Sequence, residues 1–166
     1  MDAPAPISRR NFLSGRMERE KLVVRPPGLA NDDLVACTGC GDCAAACPTH
    51  VVLLADGKPV VDFASGECIF CNACADTCPE NLFSDDSTVF PHVMRIAGGC
   101  LAFNGVSCQS CRDRCPENAI RFRPHIGGPF RPVLDENRCT GCGACVGVCP
   151  VQAIGPAMPQ GGYAHV

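Results

Sequence analysis

Sixteen cysteines in a chain of 166 residues limit what this sequence can fold into more than any other feature. They fall into four groups: Cys37, Cys40, Cys43 and Cys47; Cys68, Cys71, Cys74 and Cys78; Cys100, Cys108, Cys111 and Cys115; Cys139, Cys142, Cys145 and Cys149. Cys makes up about one residue in ten, far above ordinary usage. Aromatic residues are only 5% and Trp is absent, so a large apolar core is not expected. Small domains with poor cores depend on disulfides or bound metal. Two explanations therefore compete: a secreted disulfide scaffold, or a metal protein of a reducing compartment.

Spacing decides between them. Three of the four groups read C-x2-C-x2-C-x3-C, and in every group the last Cys is followed by proline, at Pro48, Pro79, Pro116 and Pro150. This is the bacterial ferredoxin run, which binds 4Fe-4S clusters. Disulfides do not require three thiols at successive three-residue steps, whereas three thiolates on one tight loop reach three irons around a corner of a cube. Zinc commonly takes two separated C-x2-C pairs, and the third and fourth Cys of each run form no such pair. The fourth Cys begins the following helical turn, too far round to close the same cube. In two-cluster ferredoxins it ligates the other cluster.

Crossing the ligands in this way predicts four clusters. Site one takes Cys37, Cys40, Cys43 and Cys78; site two takes Cys68, Cys71, Cys74 and Cys47. Site three takes Cys100, Cys108, Cys111 and Cys149; site four takes Cys139, Cys142, Cys145 and Cys115. Site three is irregular, because the loop 101–107 is inserted after its first Cys. Either the loop bulges out and the ligand set survives, or Cys100 is a free thiol and the site is defective or holds three irons. The even total of sixteen favours the full set.

The chain is also an internal repeat. CTGCGDCAAACP at 37–48 and CTGCGACVGVCP at 139–150 are nearly the same peptide. Apolar pairs follow the fourth Cys at one offset: Val51-Val52, Leu82-Phe83, Ala119-Ile120 and Ala153-Ile154. The fixed offset predicts that each pair packs on a cluster and limits water access to it. Val51–Ala55 and Pro59–Phe63 flank Asp56-Gly57, a hairpin signal. Ile120–Arg123 and Pro132–Asp135 flank a longer turn containing Gly127-Gly128. The expected fold is α+β: two tandem ferredoxin-like halves with short helices and hairpins, each pairing two runs about a pseudo-twofold axis. The boundaries read as an N-terminal arm over 1–36, halves over 37–83 and 100–154, a linker over 84–99, and a tail over 155–166.

Ser8-Arg9-Arg10-Asn11-Phe12-Leu13 matches the start of a twin-arginine export signal. Such a signal also needs an apolar segment, and here charged residues follow. The expectation is a protein that is not exported. Residues 8–27 carry six basic and two acidic side chains, whereas 37–166 carry eight basic and twelve acidic ones. A basic arm thus precedes an acidic body; it either docks or stays solvated. The net charge of −3 argues against a nucleic-acid partner. No apolar run approaches the roughly 20 residues of a membrane span. His50, His92, His125 and His165 sit at no ligand spacing; His50 occupies the position filled by Asn81, Asn118 and Gln152 in the other repeats. No dinucleotide fingerprint, phosphate-binding loop or nucleophile–base pair is present, and four-Cys sites leave no iron open to substrate, so an enzyme is not expected.

Several of these features together resemble one family. They are the twin-arginine opening without an apolar segment, Arg25-Pro26-Pro27, the split third run, CADTCPENLFS at 74–84 and Phe122-Arg123-Pro124. In these the chain is similar to the ferredoxin-type accessory proteins of the periplasmic nitrate reductase system, a 4Fe-4S polyferredoxin family. The resemblance implies a cytoplasmic iron–sulfur protein. Its implied partner is the precursor of the molybdenum catalytic subunit of that reductase. It would assist maturation before export, by supplying electrons or by assembling the subunit's iron–sulfur centre. The alternative is a general electron-transfer polyferredoxin subunit of a respiratory redox complex.

Overall fold

A computed structural model describes residues 22–84 and 90–159. The twin-arginine opening and the cations Arg9, Arg10, Arg16, Arg19 and Lys21 lie outside them, as does most of the tail.

The element order repeats. The first lobe holds helix α1 (Asp42–Ala45), strands β1 (Val52–Ala55) and β2 (Lys58–Val61), and helix α2 (Ala73–Asp76). The second holds β3 (Val93–Ile96), helix α3 (Ser110–Asp113), strands β4 (Ile120–His125) and β5 (Gly128–Leu134), helix α4 (Ala144–Gly147) and β6 (Ile154–Ala157). The mixture is α and β, with every helix a single turn. Helices this short do not hold themselves together, since nucleation is costly; packing must hold them.

Among the described residues there are three two-stranded antiparallel sheets. In the β1–β2 hairpin Ala55 pairs with Lys58. Asp56 and Gly57 stand between them at φ 50° and 72°, the double left-handed turn that an Asp-Gly dipeptide favours. The β4–β5 hairpin is longer than its sequence signals: the ladder runs on until His125 meets Gly128, leaving Ile126-Gly127 at the tip. The third sheet pairs β3 with β6, Ile96 opposite Ile154. Its first strand lies within 84–99, the segment whose Asp85-Asp86 and Gly98-Gly99 read as linker, and its second runs on past 154.

Residues 22–36, assigned by sequence to the arm, pack on the first lobe. Val24, Pro26, Leu29 and Leu34 are buried. The Val61 amide donates to the Val24 carbonyl at 2.9 Å, and Arg25 donates to the Pro59 carbonyl at 2.8 Å.

One apolar cluster runs through both lobes. It joins Val24 and Phe63 of the first to Phe90, Val93, Met94, Ala119, Ile120 and Ile154 of the second. The ring of Phe63 stands against Gly143, where any Cβ would overlap it. Phe90 packs edge-on to Phe63 at 5.7 Å between ring centroids, and close to Phe70 and His92. The lobes are therefore fused through a shared aromatic wall rather than strung on a linker.

Candidate metal centres

Each cysteine run forms a loop that ends in a one-turn helix. The loop winds tightly because two of its residues adopt left-handed backbone. In the first and last runs these are Gly39 and Gly41, and Gly141 and Gly143. In the second, Phe70 and Asn72 take the same conformation at φ 53° and 58°, which is sparsely populated for residues with a Cβ. The third run departs: Gln109, before α3, has negative φ, at φ −135° and ψ 12°.

After each fourth Cys the chain turns back. The residue three positions on is left-handed in all four repeats: His50, Asn81, Asn118 and Gln152, at φ between 49° and 55°. Its amide donates to the carbonyl of that Cys, at 3.1 Å for His50 and Gln152 and at 3.2 Å for Asn81 and Asn118. What the four repeats share at this position is a backbone conformation, not a side-chain contact.

These turns bring the thiols into four rings. One cavity is lined by Cys37, Cys40, Cys43 and Cys78. A second is lined by Cys47, Cys68, Cys71 and Cys74. A third is lined by Cys100, Cys108, Cys111 and Cys149, and a fourth by Cys115, Cys139, Cys142 and Cys145. Each ring takes three thiols from one run and the fourth from the other run of the same lobe. In that order the cavities enclose about 390, 440, 320 and 310 Å³, open mouths included.

The apolar pairs line the same cavities. Leu82 and Phe83 face ring one, Val51 and Val52 ring two, Ile154 ring three, and Ala119 and Ile120 ring four. Cys100 is buried and stands in ring three despite the insertion. The inserted segment is folded at its start and exposed over 104–107. It forms a 3-10 turn over Leu101–Asn104, with Ala102 buried. The Asn104 side-chain Nδ2 donates to the carbonyls of Gly98 and Cys100, at 2.8 and 2.9 Å.

The donor chemistry fits a polynuclear sulfide cluster. All sixteen thiols are free. Among the described residues no three His, Cys, Asp or Glu side chains converge as a single ion needs. They stand around a cavity instead. Burial, and then thiols of their own rings, push Cys74 and Cys111 up to about 11. Burial likewise raises Cys43, Cys68, Cys139 and Cys145. Such raised thiols ionise in a half-dry ring when positive charge joins them, so metal binding there releases protons.

Cys47 goes the other way. Burial opposes its ionisation, but hydrogen bonds from the Thr49 hydroxyl and the amides of Val52, Val51 and Thr49 together bring it down. Amide donation to sulfur recurs in the second lobe: Ala119 to Cys115 at 3.3 Å, Ala153 to Cys149 at 3.2 Å and Met94 to Cys139 at 3.4 Å. Such bonds ease negative charge on the sulfurs and tune reduction potential.

Two loops are braced from outside their rings, by contacts that spacing does not announce. Lys58 donates to the carbonyls of Leu34 and Cys37, each at 2.8 Å. His92 is buried, and burial lowers its pKa to about 4, so it is neutral. Its Nε2 stands 3.1 Å from the Gly141 carbonyl and, as the N–H tautomer, donates to it. No helix of the described residues is long and apolar enough to cross a membrane.

Known proteins share this pattern. Residues 36–82 and 106–153 match the family model for the 4Fe-4S dicluster domain. The ferredoxin-type protein NapF of Escherichia coli (strain K12) is 42% identical over 151 residues, which covers 89% of this chain and 92% of that protein. The NapF protein of Haemophilus influenzae is 40% identical over 162 residues, at the same coverage. The ferredoxin-type protein NapG of E. coli K12 is 30% identical over 154 residues, 78% of this chain and 67% of that one.

Proposed function

Because the chain belongs to the 4Fe-4S dicluster family, and among its members to the ferredoxin-type NapF proteins, we propose that it is a cytoplasmic accessory protein of periplasmic nitrate reductase. It binds the precursor of the molybdenum catalytic subunit and assists its maturation before export, by electron supply or cluster assembly. It holds four 4Fe-4S clusters, one in each thiol ring, in lobes centred on 37–83 and 100–154.

The observation that carries this reading is the make-up of the rings. Four cavities take up all sixteen thiols, four to each, with the fourth always crossed over from the neighbouring run. A bound cluster supplies one-electron exchange; the chain's own residues do the rest. The thiols hold it, the apolar pairs keep water from it, amide donors at Cys115, Cys139 and Cys149 ease its charge, and Lys58 and His92 brace the loops. Four thiols to a ring would leave no iron open to substrate, and on this reading the protein carries electrons or clusters rather than catalysing a reaction of its own.

A second reading is a general electron-transfer polyferredoxin subunit. It is favoured by the single apolar cluster that packs thiols of rings two, three and four together.

One measurement tests the cluster content and a second separates the readings. Anaerobically purified protein is expected to carry sixteen irons and sixteen sulfides per chain, four per ring. Iron near twelve would mean that one ring, with site three the first suspect, holds no cubane. Affinity-tagged protein from nitrate-grown cells is expected to retain the catalytic-subunit precursor. Full iron loading with no precursor retained, and with redox exchange toward other respiratory subunits, would favour the second reading.

A further inference from the structure

Ring two belongs to the first lobe and ring four to the second, yet they touch. The Cys68 amide donates to the Cys142 carbonyl at 2.9 Å. Both residues stand in thiol rings, so the bond joins Sγ–Cβ–Cα–N of one ring to O=C–Cα–Cβ–Sγ of the other. We propose that this hydrogen bond couples site two to site four, so that the four sites form one series in the order one, two, four, three.

The inference rests on the four-cluster reading above and adds an order to it. The other two links lie within lobes. Cys43 of ring one packs against the cluster that holds Cys47, and Cys68 of ring two packs there too. Cys111 of ring three and Cys145 of ring four share the main core. Among the described residues no hydrogen bond joins a cysteine of ring one to one of ring three or four, or a cysteine of ring two to one of ring three; Cys68 lies at the edge of the core that holds Cys111 without such a bond.

Aromatic packing adjoins both ends of the bond: buried Phe63 stands on Gly143, next to Cys142, and Phe70, two residues after Cys68, packs on buried Phe90, while Cys68 and Cys142 are themselves half-buried. A continuous bonded path in a partly dry surround couples two sites better than a gap of the same length. Charge placed on either lobe is then felt by the other chiefly at this point.

Electron paramagnetic resonance of the fully loaded, dithionite-reduced chain tests the order. The signal of site two is expected to be broadened by spin coupling to site four. Removing ring four with Cys145→Ala should narrow that signal and slow its relaxation several-fold. Removing ring three with Cys108→Ala should leave it unchanged. If the Cys145 variant does not fold, Cys71→Ala removes an exposed thiol of ring two and reports the same pair from site four. A site-two signal indifferent to loss of ring four, or equally changed by loss of ring three, would overturn the order. Iron and sulfide near sixteen with no coupling between the lobes sinks this inference alone. Loading well below sixteen sinks the four-cluster reading and the series with it.

Discussion

The two lobes reach the same arrangement of thiols with different amounts of supporting structure. In the second, β3 and β6 pair and close the lobe from behind. In the first, single hydrogen bonds do the corresponding work: Val61 to Val24, and Ser84 to Gly28, each at 2.9 Å. Burial follows. Cys100, Cys111, Cys139 and Cys145 are buried in the second lobe, whereas only Cys47 is in the first, and Cys40 and Cys71 are exposed. The rings therefore come from the runs themselves, and the closing sheet adds dryness rather than geometry. The hairpins differ as well. The first has one cation, Lys58, tied to two carbonyls. The second sets Arg123 directly opposite Arg131, both exposed.

The contrast can be broken most forcefully at the thiols. On the proposal of one cluster per ring, Cys145→Ser and Cys40→Ser should each cost about four irons. The first should also lower the denaturation midpoint of the second lobe sharply, because bound metal supplies folding energy and Cys145 lies in the shared core. The second should leave that lobe's midpoint nearly unchanged. Equal losses would mean that burial does not distinguish the lobes.

Next comes the aromatic wall. Phe90→Ala is expected to cost about 3–5 kcal/mol by chemical denaturation, as for other fully buried aromatics. Leu54→Ala, half exposed in the first hairpin, should cost about 1 kcal/mol or less. Glycines give a finer test. Gly143→Ala combines left-handed backbone with overlap on Phe63 and should cost about 2–4 kcal/mol. Gly57→Ala has the same backbone handicap but open space, and should cost about 1–2 kcal/mol. A Gly143 variant no worse than the Gly57 variant would mean that the lobes are not tightly fused there. The smallest effect is expected at the second hairpin. Arg131→Glu turns a like-charge pair into an attractive one and should add about 0.5 kcal/mol, less at high salt.

The crossing of the fourth cysteines was legible in the sequence because a cube dictates how far round a loop its ligands can stand. The first hairpin was legible because Asp56-Gly57 suits a turn with two left-handed residues. Strand β3 was not. Val93–Ile96 is four residues long, lies between polar and glycine-rich stretches, and pairs only with a strand far downstream. The position shared by His50, Asn81, Asn118 and Gln152 was visible as a repeat of side chains at no ligand spacing; the property they share is their backbone angle. The fusion of the lobes left no mark in any spacing, because Phe63 and Gly143 meet only through tertiary packing.

Since every cavity borrows its last thiol from the opposite run, a solitary run lines nothing complete. Deleting one run would dismantle two rings, and copying one would build none. A chain of this architecture can lengthen or shrink only in even steps, a whole lobe at a time, which is the unit in which this sequence repeats itself.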